Sequence, residues 1–126
     1  MKNLKKEWNI ERICLLLMAL FFIMTIFAVL DFYTHELKEE WAVPDYYFKN
    51  KLIYGTLWGL VGYAIARNLS PLKKALVVSI VISTLLQVKY FFEGYPKSMV
   101  FLFLIGHFIM VFPPSWWVFS YTKNEL

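Results

Sequence analysis

The sequence predicts an all-α integral membrane protein, an up-down bundle of four transmembrane helices with short loops and an outer loop between helices 1 and 2. Hydrophobic residues make up 60% of the chain and charged residues 17%, whereas soluble domains have about 25% charged residues. The apolar stretches are continuous, which favours helices over the alternating pattern of a β-barrel. Four of them approach the ~17–25 residues that a helix needs to cross a bilayer: Ile13–Leu30, Leu52–Ala66, Ala75–Phe92 and Met99–Phe119.

Helix 1 is predicted over residues 10–32. Asn9 can cap its start, and Glu11 in the first turn suits the positive end of the helix dipole. The apolar stretch is longer than the about 7–15 residues of a secretory signal, and no small-x-small cleavage pattern follows it. We therefore expect helix 1 to be retained. Residues 31–43 form an outer cap or continue this helix.

Helix 2 is predicted over residues 45–67, starting at Pro44-Asp45. Its strictly apolar part is about 22 Å long, which is short for a bilayer of ~30 Å. Lys49 and Lys51 are expected to extend the span by directing their ammonium groups outward, into the headgroup region.

A stripe of small residues follows one side of helix 2. Its members fall within a sector of about 60° at 100° per residue, and such small-xxx-small surfaces let two helix backbones approach closely in lipid. Two interpretations remain open: packing against helix 1 or 3 of the same chain, or self-association with a second copy. The stripe consists of Gly55, Gly59, Gly62 and Ala66.

Helix 3 is predicted over residues 71–92, with Ser70 as its cap and Pro71 at its first position. The tight turn before it makes helices 2 and 3 antiparallel neighbours. One side of helix 3 is polar and carries Ser79, Ser83, Gln87 and Tyr90. Because the Gln87 amide needs several hydrogen-bond partners, it should face the bundle interior, either as a link between helices or as a ligand contact.

Helix 4 is predicted over residues 98–119. The part before Pro113 and Pro114 is only about 21 Å long, so the helix must continue through both prolines. Proline has no N–H to donate, which frees the carbonyls of Ile109 and Met110.

His107 is the ionisable side chain that lies well inside an apolar run, near the middle of the bilayer. Intramembrane ionisable groups are functional candidates by default, and a neutral imidazole hydrogen-bonded between helices is the structural alternative. We expect a polar pocket here, with Asp31 as the acid that approaches His107. The pocket candidates are His107, Gln87, Asp31, Tyr90 and Ser83.

No residue pattern indicates catalysis, a metal or a cofactor. His35 and the outer acidic residues lack the His-Glu-x-x-His spacing of a zinc protease, and a solvated acidic cap is the expectation for Glu36, Glu39, Glu40 and Asp45. Haem ligation by two histidines would require His35 and His107 at one depth, and we expect them at different depths. The single cysteine excludes an internal disulfide and a cysteine metal cluster. An enzymatic activity is therefore not favoured.

Lys and Arg set the expected orientation, with both termini in the cytoplasm. Eight fall on the inner side, namely Lys2, Lys5, Lys6, Arg12, Arg67, Lys73, Lys74 and Lys123. Five fall on the outer side, namely Lys38, Lys49, Lys51, Lys89 and Lys97. A prokaryotic cytoplasmic membrane is the expected location.

Two functions follow from these patterns. The first is a scaffold or accessory subunit that works through helix–helix association, within a homo-oligomer or a larger membrane complex. The alternative is a small transporter, channel or ligand-binding protein built around His107 and Gln87. The expected partner in both cases is the lipid bilayer, and the net charge of +4 belongs to the loops and does not indicate nucleic acid.

Overall fold

The protein is all-helical in the computed structural model, which describes residues 8–126. Four helices follow one another, with a single 3₁₀ turn at Glu39–Trp41 between the first two. The helices are α1 (Ile10–His35), α2 (Tyr46–Ala66), α3 (Pro71–Phe92) and α4 (Lys97–Tyr121). Lys2, Lys5 and Lys6, which the sequence analysis assigned to the inner side, lie outside the described residues.

The helix ends follow from local chemistry. The Asn9 side-chain oxygen accepts a hydrogen bond from the Arg12 N–H at 2.8 Å, which confirms the predicted cap. Pro71 opens α3, as predicted, where the N–H it lacks would have had no helical partner. α1 runs to His35 instead of ending at residue 32. The predicted passage of α4 through Pro113 and Pro114 is confirmed.

The helices form a ring in which α1 and α3 each pack against α2 and α4. Short connections join α2 to α3 and α3 to α4, so these neighbours are antiparallel. At one end of the bundle the Arg12 guanidinium donates to the carbonyl of Glu125 at 2.9 Å, which brings the start of α1 beside the chain's last residues. The opposite end contains the last turns of α1 and α3 and the first turns of α2 and α4.

Three helices, α1, α3 and α4, are long and apolar enough to cross a membrane. α2 is not a clear span, because Lys49, Asn50 and Lys51 lie in its first turns and glycines follow them. Many large hydrophobic side chains point outward from the bundle, among them Met18, Phe21, Ile65, Phe101 and Ile105. Their distribution is compatible with a lipid environment.

The small residues of α2 face α1 and α3 of the same chain. A methyl group on Gly55 would overlap the Met24 side chain, and one on Gly59 would lie 2.8 Å from Leu20 Cδ2. A methyl group on Gly62 would lie 3.0 Å from the backbone Cα of Val78. The glycines of the stripe are therefore covered by α1 and α3 of the same chain and are not exposed for contact with a second copy.

The two lysines at the start of α2 behave differently from each other. Lys49 is exposed. Lys51 is buried, with only 4% of its surface exposed, so the prediction that it reaches outward to the headgroups is wrong. A buried carboxylate from α1 holds the Lys51 ammonium inside the bundle instead.

Candidate functional site

The buried carboxylate of Asp31 is the centre of a polar cluster inside the bundle. Asp31 has no exposed surface. Its Oδ2 lies 2.5 Å from the Lys51 Nζ, and its Oδ1 lies 3.0 Å from the His107 Nε2. The same Oδ1 lies 3.4 Å from the His35 Nε2. We call Asp31, His35, Lys51 and His107 the Asp31 cluster.

Three helices supply the Asp31 cluster. Asp31 and His35 are four residues apart on α1, so they share one face. Lys51 comes from the second turn of α2, and His107 comes from the middle of α4. The cluster thus lies toward the end of the bundle that the sequence analysis assigned to the outer side.

His107 contacts the carboxylate that the sequence analysis expected. It is wholly buried, and its ring packs edge-on against Phe27 at a centroid distance of 5.0 Å. A carboxylate oxygen accepts, so Nε2 carries the proton in this hydrogen bond. Within residues 8–126 the Nδ1 of His107 has no hydrogen-bond partner.

His35 belongs to the cluster instead of to a solvated outer cap, because α1 continues to this residue. Its Nδ1 lies 2.5 Å from the carbonyl oxygen of Trp41, and its ring stacks on Phe103 at 4.3 Å. Both imidazoles approach Asp31, so the expectation that His35 and His107 lie at different depths is wrong. The outer acids Glu36, Glu39, Glu40 and Asp45 are exposed.

The remaining pocket candidates divide into two groups. Tyr90 belongs near the cluster, since the Lys51 Nζ lies 4.8 Å from its ring centroid. Gln87 is buried and donates to the carbonyl of Val100 at 2.7 Å, which links α3 to α4. Ser83 donates to the carbonyl of Ser79 in its own helix. No hydrogen bond between the described atoms joins Gln87 or Ser83 to His107.

Buried polar atoms without a partner occur beside the cluster as well as within it. In the described part of the chain these include the Tyr90 hydroxyl and the Gln87 Oε1. Buried polar groups are normally hydrogen-bonded. The Tyr90 ring lies 6.4 Å from that of His107, so the unpaired hydroxyl of Tyr90 and the Nδ1 of His107 indicate capacity for a further polar ligand or water.

A groove of about 360 Å³ opens between α2 and α3 next to the cluster. Its polar lining includes Lys51, Asn50, Lys89 and the two tyrosines Tyr47 and Tyr90. Lys51 therefore lines the groove and also contacts Asp31 through its ammonium. The groove gives the Lys51 side chain space outside the cluster.

Sequence reasoning missed Lys51 and His35, although spacing could have indicated both. His35 follows Asp31 by four residues on a helix that only had to continue one turn further. Lys51 precedes Gly55 by four residues and thus extends the small-residue stripe that meets α1. A lysine and an aspartate on two helix faces that meet are expected to pair, since charges within membrane helices pair with one another.

The cluster can hold a cation. One donor atom from each of Asp31, His35 and His107 lies within 4.8 Å of the other two. The set consists of one oxygen and two nitrogens, with the Lys51 ammonium at its side.

Comparisons of the chain with protein-family models, with curated proteins and with solved structures give no match. The functional assignment therefore depends on the geometry of the cluster.

Proposed function

We propose that this chain is a membrane protein that binds a small cation at the Asp31 cluster, as a transporter, channel or sensor does. The observation that carries the proposal is the Asp31 carboxylate, which is wholly buried and contacted by three basic side chains. Burying such charges costs several kcal/mol per ion, and apolar residues of similar size would often be as stable or more so. The cluster is therefore better explained by a functional role than by a contribution to the stability of the fold.

In this proposal all four helices cross the membrane, including α2. Pairing with Asp31 neutralises the Lys51 charge that makes α2 too polar as an isolated segment. Both termini lie in the cytoplasm of a prokaryotic cell. Single cysteines placed at Lys38 and at Glu125, in a Cys14→Ser background, test the orientation, since only the first should react with an impermeant reagent from outside. Outside labelling of position 125 would overturn it.

The alternative function, a scaffold or accessory subunit, depends on an association surface. The α2 stripe that suggested such a surface is covered by Met24, Leu20 and Val78 of the same chain. In a scaffold, by contrast, apolar residues in place of the buried pair formed by Asp31 and Lys51 would often be as stabilising or more so. We therefore place cation binding ahead of association.

A thermal-stability panel tests the proposal. The purified chain in detergent is heated with Na⁺, K⁺, Mg²⁺, Mn²⁺, Zn²⁺ or a small organic ammonium ion. A ligand present at one hundred times its Kd stabilises the folded state by about 2.7 kcal/mol. At least one cation should therefore raise the Tm of the natural sequence in a saturable way.

Two variants locate the effect. The double variant Asp31→Asn with Lys51→Met removes both members of the buried pair, so it leaves no isolated charge and should fold. It should lose the cation effect. Asp45→Asn removes an exposed acid near the same end of the bundle and should keep it. If no cation distinguishes the folded double variant from the natural sequence, the proposal fails and the scaffold interpretation takes its place.

A further inference from the structure

We propose that Asp31, His35 and His107 form a binding site for a divalent transition-metal ion, and that the Lys51 ammonium occupies the place of this ion in its absence. The inference rests on the proposed function and specifies the class of cation. It is carried by the hydrogen bonds around the two imidazoles and by the position of the Lys51 side chain between the cluster and the groove.

His35 has the orientation of a metal ligand. Its Nδ1 can only donate to the carbonyl oxygen of Trp41, because a carbonyl has no proton to give. In the neutral imidazole this bond leaves the lone pair of Nε2 directed into the cluster. Metal-binding histidines are commonly held in this way, with the other ring nitrogen donating to a backbone carbonyl or a carboxylate.

The lone pair of His35 and the Asp31 carboxylate form a pair of acceptors that need a cation between them. The two atoms are 3.4 Å apart, and two acceptors at this distance repel each other. The Lys51 Nζ relieves the repulsion, at 2.5 Å from Asp31 Oδ2 and 3.3 Å from His35 Nε2. The acceptors thus form a cation site, and Lys51 supplies the cation from within the chain.

The donor atoms are close to the spacing that a metal requires. Ligands at roughly 2.0–2.2 Å from a tetrahedral zinc ion are separated from one another by roughly 3.3–3.6 Å. The distances from Asp31 Oδ1 to His107 Nε2 and His35 Nε2 are 3.0 Å and 3.4 Å. The three donors all lie within 4.8 Å of one another. His107 would bind the ion through Nε2 once its proton has moved to Nδ1, which has no hydrogen-bond partner among residues 8–126.

The types of donor select the class of metal. Ca²⁺ and Mg²⁺ prefer sites made of oxygen ligands, whereas imidazole suits zinc, iron, nickel and copper. Two imidazoles and one carboxylate form a three-ligand set that leaves a coordination position open, as in zinc enzymes with two His and one carboxylate. The fit to a transition metal is therefore better than the fit to an alkali or alkaline-earth ion.

Lys51 can leave the site without unfolding the bundle. Its side chain also lines the groove between α2 and α3, which has a volume of about 360 Å³. A divalent ion at the cluster would repel the ammonium toward this groove, which Asn50 and Tyr90 also line. The Tyr90 ring, already 4.8 Å from the Lys51 Nζ, can keep its cation–π contact there. A metal ion on the His35 Nε2 and the hydrogen bond from Lys51 to the same atom are therefore mutually exclusive.

The experiment measures Zn²⁺ binding to the full chain, freed of its purification tag and of bound metal, in detergent by calorimetry. The natural sequence should bind one ion per chain. His35→Phe keeps a ring that can stack on Phe103 but removes the ligand, and should weaken binding by at least the about 10–100-fold seen for outer-shell partners. Asp45→Asn, an exposed acid, should bind as the natural sequence does.

Lys51→Met should strengthen Zn²⁺ binding, whereas His35→Phe should weaken it. If the ammonium occupies the site for about nine-tenths of the time or more, its removal should tighten the apparent Kd by about tenfold or more. Co²⁺ in place of Zn²⁺ should give visible absorption bands in the natural sequence and in Lys51→Met, and the bands should be missing in His35→Phe. Intense bands report a cobalt ion of low coordination number held by the protein. If His35 only stabilised the fold, a folded His35→Phe variant would keep them.

Two results would overturn the metal assignment. One is the lack of Zn²⁺ binding by both the natural sequence and the folded Lys51→Met variant. The other is binding that His35→Phe leaves unchanged, which would put the ion elsewhere. If another cation still raises the Tm of the natural sequence and not that of the double variant, cation binding at Asp31 stands while the metal does not. If no cation does so, both proposals fail together.

Discussion

The contact between α1 and α2 has an apolar half and a polar half, built on the same two helix faces. In the apolar half, Leu20 and Met24 of α1 pack onto Gly59 and Gly55 of α2. In the polar half, one to two turns further along, Asp31 of α1 binds Lys51 of α2. The first half holds the helices together through close packing, and the second through charge.

The two halves differ in how much they should contribute to stability. Tight packing against glycine strengthens dispersion contacts in lipid, where no hydrophobic force draws helices together. A buried ion pair requires desolvation of both partners and often adds no net stability. The polar half also contains two imidazoles and the Tyr90 hydroxyl, which has no hydrogen-bond partner among residues 8–126. We therefore expect changes in the two halves to have different consequences.

The largest loss of stability should come from removing one partner of the buried ion pair in the polar half. Asp31→Leu leaves the Lys51 ammonium buried without its carboxylate, and such a loss costs about 3–5 kcal/mol. Adding Lys51→Met should restore most of the stability, because no charge then remains to be desolvated. Unfolding of the chain in mixed micelles measures both. A double variant as unstable as the single one would show that the ion pair holds the fold together.

A smaller effect should follow from overpacking the apolar half. Gly59→Leu places a side chain where Leu20 Cδ2 already lies 2.8 Å from the added methyl position, and overpacking typically costs about 1–3 kcal/mol. Gly106→Ala on α4 is the matched control, since its methyl group would meet only Met110 Cε at 3.7 Å. The Tm in detergent should fall for the first variant alone. Equal Tm values would mean that α1 and α2 are not in close contact there.

The smallest stability effect should come from His107→Leu, although it alters the polar half. Hydrogen bonds between membrane helices contribute about 0.6 kcal/mol on average, and Asp31 keeps its ion pair with Lys51. The Tm should therefore change little, while the cation-dependent rise in Tm should disappear. A variant that retains the full cation effect would remove His107 from the site and leave it a structural link between α1 and α4.

Only part of the candidate site could be predicted from the sequence. His107 and Asp31 stood out because each interrupts or ends an apolar run, and the structure joins them at 3.0 Å. Gln87 has the same kind of signal but bonds to the Val100 carbonyl, since its orientation depends on which helix lies opposite. Lys51 was assigned to the headgroup region because a lysine near a helix end can extend in either direction, and only its neighbours decide.

The sequence by itself determined the helices and their apolar character. These features depend on residues that are close together in the sequence. They are the uninterrupted apolar runs, the cap at Asn9 and the proline at position 71. The tertiary structure alone decided that the α2 stripe packs inside the chain, that α1 reaches His35, and that His35 and Lys51 meet Asp31. These outcomes depend on the rotation and depth of each helix relative to the others, which arise from contacts between residues far apart in the chain.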